Sequence, residues 1–157
     1  MQLTQFTDYA LRTLVYISSS PRQFATISEI ADYFGISRNH LVKIVHHLAN
    51  HQVIITTRGK NGGMRLAQPA KEIIIGDVVR ITEQNQNVVE CFDPDSNSCV
   101  ITTECRMQRV FHEAHNAFLA VLDGYTLDDA LWKKIDISGL SGGIKKEPAV
   151  ASPKTQK

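Results

Sequence analysis

Apolar positions recur at helical spacing through the first fifty residues. Leu3, Phe6, Ala10, Leu14 and Ile17 form one stripe closed by Pro21, which predicts a helix with one buried face. Thr26-Ile27-Ser28-Glu29 has the form of a capping box, in which Thr and Glu satisfy each other's free backbone N–H groups, so a short helix from Ser28 to Phe34 should follow. Gly35 suits a left-handed helix terminus. Ser37 is placed to cap a third helix from Arg38 to about Asn50, whose inward stripe is Leu41, Ile44, Val45 and Leu48. Two short helices joined by Gly35-Ile36-Ser37 read as a helix-turn-helix.

The period then changes. Val53-Ile54-Ile55-Thr56-Thr57 is β-branched and reads as a strand, Arg58-Gly59-Lys60-Asn61-Gly62-Gly63 as a basic glycine-rich turn, and Met64-Arg65-Leu66-Ala67 as the return strand. Three helices followed by a hairpin is the winged-helix order. A short helix from Val78 to about Thr82 follows, then a polar stretch from Glu83 to Glu104 that reads as loop. A long helix begins near Cys105, with Met107, Val110, Phe111, Ala114, Phe118, Val121 and Leu122 on one wide apolar face. Such a face beside so small a domain needs a cover, and a symmetric copy is the simplest. Thr126 is read as capping a last short helix through Leu131, and the Gly-, Ser-, Pro- and Lys-rich end as a disordered tail.

The expected fold is therefore mainly α with a small β-hairpin. A winged helix-turn-helix domain (1-68) leads through a connecting helix (69-90) and a cysteine loop (91-105) to a dimerisation helix with its short terminal helix (106-135), and then to the tail (136-157).

Net charge is only +1, but it divides unevenly. Residues 1-70 hold seven Lys and Arg against three Asp and Glu, whereas residues 71-135 hold six against eleven. A nucleic-acid surface therefore belongs to the first half. In a helix-turn-helix the second helix enters the major groove, which selects Ser37, Arg38, Asn39, His40 and Lys43 as candidate DNA contacts. Arg58, Lys60 and Arg65 of the hairpin would neutralise phosphates. Double-stranded operator DNA is the expected partner. No catalytic set stands out, so an enzyme is not expected. The beginning of the chain does not read as a secretory signal and no apolar run approaches a bilayer's thickness, so the expected location is cytoplasmic, with no membrane partner.

All three cysteines fall within fifteen residues, with seven residues between Cys91 and Cys99 and five between Cys99 and Cys105. Zinc sites usually carry close Cys-x-x-Cys pairs, which are missing here, while well-spaced thiolates on a loop can wrap an iron-sulfur cluster. By spacing alone, cluster, zinc and thiol switch all stay open. His112 and His115 could complete a zinc site but read as solvated helix residues, and Asp8 reads locally as the i,i+4 partner of Arg12. An iron-sulfur electron-transfer protein with a protein-binding winged helix is the alternative from another class.

Several segments together resemble the winged-helix iron-sulfur transcriptional regulators, in particular their nitric-oxide-sensing repressors: Leu3-Thr4-Gln5-Phe6-Thr7-Asp8-Tyr9-Ala10-Leu11-Arg12, Ser37-Arg38-Asn39-His40-Leu41-Val42-Lys43, Arg58 to Leu66, Ile75-Gly76-Asp77-Val78-Val79 and the three cysteines. The resemblance covers roughly residues 1-131. It implies a homodimer on a palindromic operator, nitric oxide as signal, and one iron-sulfur cluster per subunit, 2Fe-2S or 4Fe-4S, held by Cys91, Cys99 and Cys105. It also implies a fourth ligand from the first helix of the other subunit, here Asp8.

Overall fold

The computed structural model describes residues 2–59, 62–83 and 85–131. Helix α1 (Gln5–Ser19) starts at Thr4, whose hydroxyl accepts from the Thr7 N–H, and ends just before Pro21. Helix α2 (Ile27–Phe34) opens with the expected capping box: the Glu29 carboxylate accepts from the Thr26 N–H at 2.6 Å and Thr26 Oγ1 from the Glu29 N–H at 3.2 Å. It closes at Gly35, whose φ of 65° strains any side chain with a Cβ. Helix α3 (Arg38–Asn50) follows at once. Ser37 holds the N-cap position, yet its side chain makes no capping hydrogen bond, contrary to the expectation. That hydroxyl is left exposed on the outer face.

Strands β1 (Ile54–Thr57) and β2 (Gly63–Leu66) pair antiparallel in the register Ile54 with Leu66 and Thr57 with Gly63. Ala25 forms a bridge to Met64 and so adds a third position to this sheet. Helix α4 (Ile75–Thr82) is a turn longer at its start than the sequence suggests, because Ile74 rather than Gly76 ends the extended segment. Helix α5 (Arg106–Asp123) agrees with expectation.

One core joins α1, α2, α3, the hairpin and α4 through Leu14, Ile17, Ile30, Leu41, Ile44, Leu48, Ile54, Met64 and Val78, all essentially without solvent contact. Helix α4 is fastened to it by polar contacts as well: His47 Nε2 donates to the Ile81 carbonyl at 2.6 Å, and the Thr4 N–H donates to the Glu83 carboxylate at 2.8 Å.

The helix expected from Thr126 to Leu131 is not formed. Thr126 does make the expected cap, its Oγ1 accepting from the Asp129 N–H while it bridges to Ile74, but the Leu127 N–H donates to the Ile73 carbonyl and residues 127–130 form only turns. Leu127 is thereby driven fully into the core. The tail from 136 onward and its expected disorder lie outside the described residues.

Candidate nucleic-acid interface and cysteine loop

The turn at Gly35 sets α3 against α2, with its Leu41, Ile44, Val45 and Leu48 side buried and Ser37, Arg38, Asn39, His40 and Lys43 all exposed. Arg38 lies 3.6 Å from Asp32, but their side chains are 63% and 73% exposed, so the pair is weak and Arg38 is free to exchange it for another acceptor. His40 stands 6.5 Å from the Tyr9 ring, which brings α1 beside the recognition helix. Arg58 and Arg65 are exposed on the hairpin. Lys60, the remaining predicted phosphate contact, lies outside the described residues.

Asp8 occupies the first turn of α1 and is paired with Arg12, the Nη2 to Oδ2 distance being 2.7 Å. The Arg12 guanidinium in turn lies 5.9 Å from the ring centres of both Tyr9 and Phe34. Within one chain Asp8 is thus linked through Arg12 to the helix-turn-helix, and among the described residues no hydrogen bond connects it to the cysteine loop.

The three cysteines are free thiols, Cys91 and Cys105 half-buried and Cys99 exposed. Local hydrogen bonds draw their backbone segments together. Ser98 donates from both its N–H and its hydroxyl to Glu90 Oε1 at 2.6 Å, which closes the loop so that the neighbours of Cys91 and Cys99 meet. These donors hold the Glu90 carboxyl below its ordinary range. Thr102 donates to the Cys99 carbonyl at 2.8 Å, and the Cys105 N–H donates to the Thr102 carbonyl at 3.4 Å. Gln108, on the first turn of α5, donates to the Cys91 carbonyl at 3.1 Å. Next to Cys91, Phe92 stacks on His112 with ring centres 3.7 Å apart and planes 5° from parallel.

Sequence reading assigned His112 to solvent and missed this contact. Aromatic rings twenty positions apart on different elements carry no local signal.

Among the described residues no three His, Cys, Asp or Glu side chains are gathered tightly enough for a single metal ion. A cluster of several irons is larger and draws its thiolates to different irons. Three free thiols on a loop tied by its own hydrogen bonds, with no close Cys-x-x-Cys pair, fit that larger object better than zinc.

Helix α5 has no buried residue. Phe111, Phe118 and Leu122 are half-covered, and α4 packs on this helix. Arg80 donates to both oxygens of Asp123 at 2.6 Å, tying α4 to the end of α5. Met107, Val110 and Val121 are 55%, 53% and 62% exposed, and with the exposed Ala114 and Ala117 they recur at alternating steps of three and four. That spacing is a coiled-coil seam.

The winged-helix geometry agrees with what comparison finds. The Rrf2 family, described as an iron-dependent transcriptional regulator, matches residues 3–132. This chain belongs to the Rrf2 family. It is 48% identical over 141 residues to the HTH-type transcriptional regulator NsrR of Geobacillus kaustophilus, covering 89% of this chain and 96% of the relative. It is 45% identical over 141 residues to NsrR of Bacillus subtilis, covering 89% and 97%. The crystal structure of Staphylococcus aureus CymR in its oxidized form superposes with a TM-score of 0.66 at 25% identity, over 85% of this chain and 98% of that one. This Rrf2 protein is thus a helix-turn-helix transcriptional regulator, and its relatives are regulators rather than enzymes, as the lack of a catalytic set suggested. Among the described residues no helix is long and apolar enough to cross a membrane.

Proposed function

We propose that this protein is a homodimeric repressor whose hold on operator DNA depends on an iron-sulfur cluster ligated by Cys91, Cys99 and Cys105 and is released by nitric oxide. The observation that carries this reading is that three free thiols stand on one loop tied back on itself by its own hydrogen bonds, directly in front of a helix with an uncovered apolar seam. The similarity to regulators named NsrR supports it.

In this reading the seam of Met107, Val110, Ala114, Ala117 and Val121 meets its copy across a two-fold axis, and the two α3 helices reach successive major-groove faces about 34 Å apart. Arg38 and Asn39 read base edges, while Ser37, His40, Lys43, Arg58, Lys60 and Arg65 hold phosphates or flank the bases. The three thiolates hold the cluster, whose iron supplies the chemistry that reacts with nitric oxide.

Asp8 of the partner subunit is the fourth ligand. This assignment gives the signal a short route, because the same carboxylate has an alternative partner in Arg12, which packs on Phe34 at the end of α2. When Asp8 is held elsewhere, Arg12 loses its carboxylate and its packing against the helix-turn-helix changes. A second route runs from the loop through Glu83, which accepts from the N–H and hydroxyl of Thr4 at the start of α1. Inverting occupancy from mostly bound to mostly free takes about 5 kcal/mol of differential stability.

The test is visible absorption of anaerobically purified protein combined with operator titration. Replacing any one cysteine with Ala should abolish the absorption and weaken operator binding. A triple-Ala protein that still binds tightly and still releases with nitric oxide would falsify the cluster mechanism. Asp8→Ala should keep the dimer and most of the iron but alter the spectrum and the rate of reaction with nitric oxide, and Arg12→Ala should not imitate it. Identical behaviour of Asp8→Ala and the parent would remove Asp8 from the ligand set.

A further inference from the structure

A cleft of about 810 Å³ opens between the end of α1, the segment leading to the Ala25 bridge, and the chain leaving β2. Arg22, Arg65 and Lys71 line it, all exposed and none in an ion pair among the described residues. One carboxylate, Asp128, stands on the same wall, so the lining carries a surplus of positive charge. The Ser19 hydroxyl, also on the wall, is buried without a hydrogen-bond partner among the described residues, which is rare for a group that can both donate and accept. Gln23 holds a φ of 48°, uncommon for a residue with a Cβ, in a turn closed by its N–H donating to the Ser20 carbonyl at 2.8 Å. Unpaired cations, an orphaned hydroxyl and a strained turn at one cleft are the features of a prepared anion site.

We propose that this cleft binds a small phosphorylated anion carrying at least two adjacent negative charges. The hairpin register separates Arg22 and Lys71 from the DNA contacts at the hairpin tip, and Arg65 is the one residue the two surfaces share. Ala25 lies opposite Met64 and the strands run antiparallel, so Arg22 is carried away from the hairpin tip toward Ala67 and Pro69. That is roughly 15 Å from the tip at a rise of about 3.3 Å per residue. A free anion, rather than the DNA backbone at the tip, is therefore the ligand within reach of Arg22 and Lys71. Arg65 sits on β2 itself, so an occupied cleft clamps the root of the hairpin to the end of α1 and makes the ligand a modulator of the wing. The site is independent of the cysteine loop.

The probe is inorganic pyrophosphate, titrated calorimetrically into the full-length protein, with random-sequence and operator DNA titrated in parallel. Saturable binding should appear and weaken at least about tenfold in Arg22→Gln/Lys71→Gln, as expected for two lost charge-assisted contacts. Arg58→Gln, at the hairpin tip, should leave pyrophosphate binding unchanged. The cleft variant should melt like the parent and bind both DNAs normally. Absence of saturable pyrophosphate binding, or equal weakening by Arg58→Gln, overturns the proposal. Weaker binding of both DNAs by Arg22→Gln/Lys71→Gln with a shallower salt slope overturns it too, by assigning these cations to the DNA backbone.

Discussion

The two halves of this molecule are held together by different means. From α1 to α4 each element gives side chains to one core, and Leu14, Ile30, Leu41, Ile44 and Leu48 are sealed from water. From Glu83 to Thr126 no described residue is buried, and the segment is held by hydrogen bonds such as Ser98 to Glu90, by the Arg80–Asp123 pair, and by rings laid on one helix. Burial makes the head self-sufficient. The other half has donors, thiols and an apolar seam, but within one chain it lacks the partner surface that would complete it. The proposed sensing would draw on this arrangement, with the responding part at the low-stability end while the helix-turn-helix stays folded.

The largest effect should come from breaking the head. Leu14→Ala should lower unfolding stability by about 2–5 kcal/mol, measured by denaturant titration, because it leaves a cavity in a dry core. By contrast, Val121→Ala made in a monomeric background should change stability by no more than about 0.5 kcal/mol. A large loss there would mean that α5 is part of the head's folding unit.

Next in size, Val110→Asp should weaken dimerisation by about 30-fold or more, read by sedimentation, while the head's melting transition persists. A charged residue at the centre of the seam that left the dimer intact would move the interface elsewhere.

A smaller effect is expected where the halves meet. A Cβ on Gly76 would collide with the Asp123 carboxylate and crowd Arg80, so Gly76→Ala should displace Asp123 and open this exposed clamp, lowering stability by less than Leu14→Ala does. The Arg80 hydrogen bonds hold the Asp123 carboxyl below its ordinary range. The clamp's contribution is thus complete above the unfolded carboxylate pKa and is lost as pH falls through the lowered folded value. Thermal melts of Asp123→Asn should lack that acid limb.

The smallest change tests the loop alone. In metal-free protein His112→Ala removes the surface on which Phe92 stacks, and alkylation of Cys91 should accelerate about two- to tenfold, the size of one aromatic pair. Cys99, already exposed, should react at the parent rate and serves as the internal reference. Unchanged Cys91 kinetics would mean that the Phe92–His112 stack does not shield this thiol.

What the sequence by itself determined was local and periodic. The stripes of α1 and α3, the Thr26–Glu29 box, the stop at Gly35, the hairpin and the long amphipathic helix were all legible, because each depends on residues within a few positions of one another. The crowding of three cysteines in fifteen residues was legible for the same reason, and the Asp8–Arg12 pair follows from one helical turn. Tertiary structure alone decided the remainder. It replaced the helix from Thr126 to Leu131 by a bridge at Thr126 and turns that bury Leu127, gave Gly76 its role beneath Asp123, stacked Phe92 on His112 and assembled the cationic cleft from three separate segments. Each of these joins residues far apart in sequence, where propensity and spacing are silent and the free energy comes from contacts that exist only once the chain has closed on itself.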